Sequence, residues 1–268
     1  MDDITVKKIF EVAESYRPMG KPIMTAVEAF DDATDGGVRD GELITISGQS
    51  GHGKTAWGLW MTKKIVDSGV PVLWFTYEMN PWYLKEKFVQ LGAIEDFATF
   101  VPIEHSKNTP EWIKEKILEA KELYACKIVV IDHLHYLIPP DNEQNISLVV
   151  GGVVRKLKTL AVETDTIIYL IAHMRKLGQQ EKMSIDAVRD SALIINESDY
   201  VYLVERVKSK KRREDASSLD DFTNYCRIQL AKNRRTGKLL TKLFTVDRGY
   251  FTEQTDAQIT EVKGVLDL

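Results

Sequence analysis

Residues 48–55 read Gly-Gln-Ser-Gly-His-Gly-Lys-Thr, a G-x-x-x-x-G-K-T run that follows an apolar stretch, Leu43 to Ile46. That order, strand then glycine loop then helix, is the context in which such a run cradles phosphate. Glycines let the backbone curl until successive N–H groups point inward at phosphate oxygens. A helix starting near Lys54 adds its positive N-terminal end. Lys54 would reach the β- and γ-phosphates, and the Thr55 hydroxyl would ligate Mg²⁺. The candidate nucleotide-binding set is Gly48, Gln49, Ser50, Gly51, His52, Gly53, Lys54, Thr55 and Ala56. The implied ligands are ATP and Mg²⁺.

Hydrolysis needs more than a cradle. Asp132 ends the apolar run Ile128-Val129-Val130-Ile131, as expected of an acid that holds Mg²⁺. Glu78 ends another, Trp74-Phe75-Thr76-Tyr77, where a carboxylate could orient and deprotonate water. The plain alternative is a solvated strand-end acid. His173 follows Leu170-Ile171-Ala172 and could sense a γ-phosphate, or could simply be hydrogen-bonded at a strand end. Lys232-Asn233-Arg234-Arg235-Thr236-Gly237 is a cationic turn. It is either a solvated surface or a set of fingers for a neighbouring subunit's nucleotide. The fingers require an oligomer. Arg175, Lys176, Lys182 and Arg189 form a basic stretch able to touch nucleic acid. Residues 206–213 are more basic still but lie among Glu205, Glu214 and Asp215 in a polar segment, read as a solvated excursion. No Cys/His cluster has metal-ligand spacing, so Mg²⁺ is the only metal implied.

The 268 residues suit one large α/β domain or two small ones. With 44% hydrophobic residues the chain can fill a sizeable core, and a net charge of −4 restricts nucleic-acid contact to local patches. Cys126 and Cys226 are far apart and read as reduced, buried thiols of a cytosolic protein. No segment approaches the ~20 apolar residues that span a bilayer, so no membrane is expected.

Periodicity sets out the supporting elements. Residues 4–16 form a helix that must dock on its own domain or on a neighbouring copy. Residues 17–23 are a linker. Strands are expected at 43–46, 72–76, 100–103, 127–131, 166–172 and 201–204, and helices at 56–68, 81–91, 110–124 and 146–162. Gly151-Gly152 should weaken the last helix by about 1 kcal/mol per glycine relative to Ala. Residues 225–230 and 239–246 read as a terminal β-hairpin. Strands alternating with helices imply a parallel sheet with right-handed crossovers.

An ordered set of motifs resembles the RecA-like motor domain of DnaB-type replicative helicases, from about Gly20 to Glu253. It comprises Asp35-Gly36-Gly37 through Ile46, the phosphate loop, residues 72–79, residues 130–134, residues 172–175, residues 188–192 with Glu197-Ser198-Asp199, and Ala231-Lys232-Asn233-Arg234. The resemblance implies a RecA-like P-loop NTPase, an α/β fold with a mainly parallel twisted sheet flanked by helices and a C-terminal β-hairpin. It divides the chain into a linker helix and linker (1–23), a motor domain (24–256) and a tail (257–268). It makes Glu78 the catalytic glutamate and Asp132 the Mg²⁺ acid. His173 stands where the family has a glutamine that couples nucleotide to DNA loops. Lys232 and Arg234 resemble the pair donated in trans, Arg234 being the finger. Arg189, Asp190, Ser191 and Ala192 occupy the segment that grips single-stranded DNA, beside Arg175, Lys176 and Lys182.

The expected function is a ring-shaped, ATP-driven motor on single-stranded DNA, a homo-oligomer of hexameric type. Only residues 1–23 precede the motor, so the family's helical N-terminal domain is not expected and primase interaction is doubtful. Ala192 replaces a usual glycine. The competing expectation is a KaiC- or RadA-like ATPase that binds DNA or a partner without unwinding; a loader-like or inactive homologue fits less well with Lys54, Glu78 and Asp132 in place.

Overall fold

The computed structural model describes residues 8–13, 21–104, 107–138, 146–174, 183–188, 191–209, 222–263 and 266. In chain order the elements are α1 (Ile9–Ala13), α2 (Glu28–Ala33), β1 (Leu43–Gly48), α3 (Lys54–Asp67), β2 (Val72–Thr76), α4 (Pro81–Gln90) and β3 (Thr99–Phe100). There follow α5 (Pro110–Tyr124), β4 (Ile128–Asp132), α6 (Ile146–Thr164), β5 (Ile167–His173) and α7 (Ser191–Glu197). Last come β6 (Tyr200–Lys208), β7 (Phe222–Asn233), β8 (Leu240–Asp247), β9 (Tyr250–Glu253) and α8 (Asp256–Val262).

All nine strands form one sheet in the order β3-β2-β4-β5-β1-β6-β7-β8-β9. The ladder from β3 to β6 is parallel, and β7, β8 and β9 add antiparallel strands. The central strands are buried along their length and mainly apolar because both faces are covered. Alternate residues serve opposite cores. Ile44, Ile46, Trp74, Val130, Tyr169 and Tyr202 pack with Trp57, Trp60 and Phe88 of α3 and α4. Leu43, Phe75, Val129, Ile131, Leu170 and Leu203 pack with Ile113, Val154 and Ile194 of α5, α6 and α7. Trp57 is fully buried against Trp60, Phe244 and Phe251, at ring separations of 5.0, 5.2 and 5.1 Å, and so ties α3 to the antiparallel strands.

Helix starts follow local chemistry. The Asn80 side chain accepts from the Tyr83 N–H at 3.0 Å and Thr109 from that of Trp112 at 3.3 Å, each before a proline in the first turn.

Three expectations change. The strand foreseen at 100–103 shrinks to Thr99–Phe100, since Pro102 has no N–H to donate and Ile103 is 96% exposed. The β7–β8 hairpin exists, but β9 and α8 follow it, so it is not terminal. Gly151 does not merely weaken α6: a Cβ there would lie 2.1 Å from Leu193 Cδ1, so the glycine is what lets α7 pack against α6. Of the helix foreseen at 4–16, residues 9–13 are helical, with Ile9 and Phe10 exposed; residues 4–7 and 14–16 lie outside the described set. Of the basic excursion read at 206–213, residues 210–213 lie outside it too. No described helix is long and apolar enough to cross a membrane.

Candidate nucleotide site

Parallel strands bring their carboxyl ends to one edge, where crossover loops leave room for a ligand. In register, Gly48 of β1 is level with His173 of β5, and Asp132 of β4 is level with Thr76 of β2. The phosphate loop, Glu78, Asp132 and His173 therefore share that edge although they are far apart in sequence.

The loop has the shape its sequence foretells. Gly53, the residue before α3, has φ +94°, a left-handed conformation open to glycine, and no side chain caps the first turn of the helix. The N–H groups of that turn are thus oriented for an anion. Lys54 is buried and its Nζ donates to the Gln49 carbonyl at 2.9 Å, folded across the loop. Burial lowers its pKa to about 8, while the charges of Glu78 and Asp132 pull it back up. The His52 imidazole is pushed down to about 4, first by burial and then by Lys54, Lys208 and Arg206. It is therefore neutral, and its Nδ1 accepts the Arg206 N–H at 3.3 Å while its ring meets Phe222 at 5.2 Å.

Asp132 is fully buried, and its carboxylate oxygens have no hydrogen-bond partner of ordinary geometry. Its pKa is raised to about 7, first by burial and then by the Glu78 charge, against the opposing pull of Thr55 and Lys54. A buried carboxylate beside a threonine hydroxyl, lacking conventional partners, is the donor set of a hard cation, so Thr55 and Asp132 fit Mg²⁺. Glu78 is half-exposed and accepts from His133 Nδ1 at 3.3 Å. Burial holds the His133 pKa below its usual value.

The loop's flanks open on two cavities. One, of about 260 Å³, lies between His52 and Gly53 and the β-strand residues Arg206, Phe222 and Tyr225. The other, of about 740 Å³, runs from Thr55 and Leu59 to Arg248.

The cationic turn lies elsewhere. Asn233 pairs with Tyr200, which is level with Ile44 at the start of β1, so Lys232 and Arg234 sit at the opposite end of the sheet from the phosphate loop. Lys232 Nζ donates to the Ile195 and Asn196 carbonyls at 2.5 and 3.3 Å, at the end of α7. Arg234 donates to Asp199 Oδ1 at 3.1 Å and to the Asn196 carbonyl. Asp199 is a hub: its Oδ2 also accepts from the Leu43 N–H at 2.8 Å and Lys158 Nζ at 2.6 Å. Arg235, the third cation, is bonded to the Thr34 and Gly37 carbonyls and to Glu42, and anchors the turn.

Of the nucleic-acid candidates, Arg175, Lys176, Lys182, Arg189 and Asp190 lie outside the described residues. Ser191 begins α7 and Ala192 is exposed in its first turn. The segment carrying these residues is rooted at the loop: Met174 donates its N–H to the Gly48 carbonyl at 3.1 Å and bridges Val188.

Three participants have no role in the sequence reading: His133, Asp199 and Phe222. The spacing rule also finds no metal cluster, whereas the fold brings Glu78, His133 and His173 together. His133 follows Asp132 directly, and that adjacency was the one signal available.

Residues 87–250 match the family described as "DnaB-like helicase C terminal domain". The chain is 23% identical over 256 residues to "Replicative DNA helicase DnaB" of Mycoplasma genitalium, covering 83% of this chain and 54% of that protein. It is 23% identical over 228 residues to "Circadian clock oscillator protein KaiC" of Prochlorococcus marinus, covering 76% and 41%. Among solved structures, one described as an ATPase domain superposes with a TM-score of 0.75 at 17% identity, over 92% of this chain and 96% of that one. "The Structure Of A DnaB-Like Replicative Helicase And Its Interactions With Primase" gives 0.72 at 18%, over 92% and 65%. These superpositions establish a RecA-like fold, mostly parallel with C-terminal antiparallel strands. The chain spans about half the length of the curated DnaB relatives it matches. It belongs to the DnaB-like helicase C terminal domain family.

Proposed function

We propose that this chain is an ATP-driven DNA helicase motor that acts as a ring on single-stranded DNA and hydrolyses ATP between subunits. One observation carries the reading. Lys54, Thr55, Glu78 and Asp132 converge at one edge of the sheet, while Lys232 and Arg234 lie at the opposite end. A site built this way has a cradle, a base and a metal acid, and its own Lys232 and Arg234 cannot reach it to stabilise charge on the transferred phosphoryl group. A neighbouring copy supplies it most simply. ATP lies on Gly48–Ala56, with Mg²⁺ held by Thr55 and Asp132. Glu78 takes a proton from the attacking water, Arg234 of the next subunit faces the γ-phosphate, and Lys232 supports it. His173 is level with Gly48 at the start of the loop and directly precedes Met174, and we assign it to relay nucleotide state to the strand-gripping segment 175–192.

The test is ATPase activity with and without single-stranded DNA, together with particle shape with ATP and DNA present. Stimulated hydrolysis by a six-fold ring is the expected result; an active monomer refutes the reading. The likeness to KaiC motivates a second reading, an ATPase that assembles without unwinding. A forked-duplex unwinding assay separates the two.

A further inference from the structure

Beside the phosphate loop, one oxygen of Glu78 and one nitrogen each of His133 and His173 lie within 4.8 Å of one another. The three residues stand at the ends of β2, β4 and β5, which are adjacent in the sheet. The His133 and His173 rings are 4.2 Å apart at 73°, and the His135 ring is 5.6 Å from each. Two imidazoles and a carboxylate are the donor set of borderline divalent ions; Mg²⁺ prefers oxygen alone. Ligand atoms about 2.0–2.2 Å from a tetrahedral ion stand roughly 3.3–3.5 Å apart. The Glu78–His133 separation, 3.3 Å, is already there. A half-exposed Glu78 at the end of its strand can turn to close the rest.

We propose that Glu78, His133 and His173 form a site for a zinc-class divalent transition ion, and that an ion held there takes Glu78 out of water activation. Coordination ties up the carboxylate lone pair that would accept the proton. It also fixes His173 against its neighbour strand. Three protein ligands leave a position open, and Lys54 lies near enough for its charge to act on both Glu78 and His133. The site is distinct from the Mg²⁺ pair Thr55 and Asp132. The inhibitory half rests on the reading of Glu78 as the base; the binding half does not.

The probe is Co²⁺ added to the nucleotide-free full chain, followed by visible absorption, with displacement by Zn²⁺. One equivalent per chain is expected, with binding weakened at least tenfold in His133→Ala and in His173→Gln. Thermal melts matching wild type establish that both variants fold. No ion bound at micromolar concentration, or undiminished binding in both variants, overturns the site. With Mg²⁺ and ATP in excess, Zn²⁺ should cut hydrolysis at least tenfold, and a chelator should restore it. Binding without inhibition overturns the inhibitory half. A chain that binds Co²⁺ yet never hydrolyses ATP would sink the function proposed above and leave the metal site standing.

Discussion

Arg234→Ala separates a shared site from a self-sufficient one. In its own chain Arg234 cannot serve the phosphate loop. Asn233 is level with Ile44, and Gly48 lies four residues further along β1, about 13 Å away, with two strand spacings of about 10 Å to cross. The turn then continues away from the loop. Locally the substitution is mild. The Arg234 side chain is 48% exposed, so its ion pair with Asp199 contributes ~0–1 kcal/mol after solvent screening, and Asp199 keeps Leu43 and Lys158. Stability should therefore barely move while hydrolysis falls roughly 10³-fold or more, the effect of removing a transferred cation. Mixing makes the test sharper. Lys54→Ala loses the cradle and Arg234→Ala the finger, so each alone is inactive. If subunits exchange at random, roughly one interface in four joins an intact loop to an intact finger, and the mixture should recover about a quarter of wild-type ATPase. A mixture no more active than its components would refute the trans assignment.

Further outcomes follow from the packing. Gly151→Ala should destabilise the fold by about 1 kcal/mol, because the clash with Leu193 outweighs the helix-propensity gain, whereas Gly152→Ala, whose added methyl meets nothing, should stabilise by about 1 kcal/mol; urea midpoints decide both. Asp199→Ala strands Lys158 and the Leu43 N–H and should cost about 3 kcal/mol by the same measurement, far more than loss of Arg234. Burial pushes the Cys126 thiol up to about 11 and the Cys226 thiol up to about 12, so neither should exchange with a disulfide reagent at pH 8 until the chain is unfolded, which absorbance of the released thiol reports.

The phosphate loop is legible because all of its parts are consecutive. Asp132 and Glu78 could be placed at the sheet edge because a strand buried on both faces is a continuous apolar run, and such runs end visibly. The α/β class follows from those runs alternating with helices. What could not be read depends on contacts across the chain. Asp199 meets Leu43 from 156 residues away, Arg235 reaches Thr34 from 201, and the Glu78–His133–His173 cluster needs strand order that no local spacing encodes. Gly151 shows the same limit: its cost in the helix is local and legible, while its value lies in the approach of Leu193.

The alternation of β1 between two cores carries a last consequence. Leu43 belongs to one face and Ile44 and Ile46 to the other, with β5 and β6 hydrogen-bonded on either side. The strand cannot slide by one residue without turning each side chain into the wrong layer. The height at which the glycine loop emerges, relative to Asp132 on β4, is thus indexed like a tooth on a rack. Single-residue insertions or deletions in β1 have no local remedy; the shortest change that keeps the parity is two residues, and it would lift the loop by about 7 Å, clear of its metal acid.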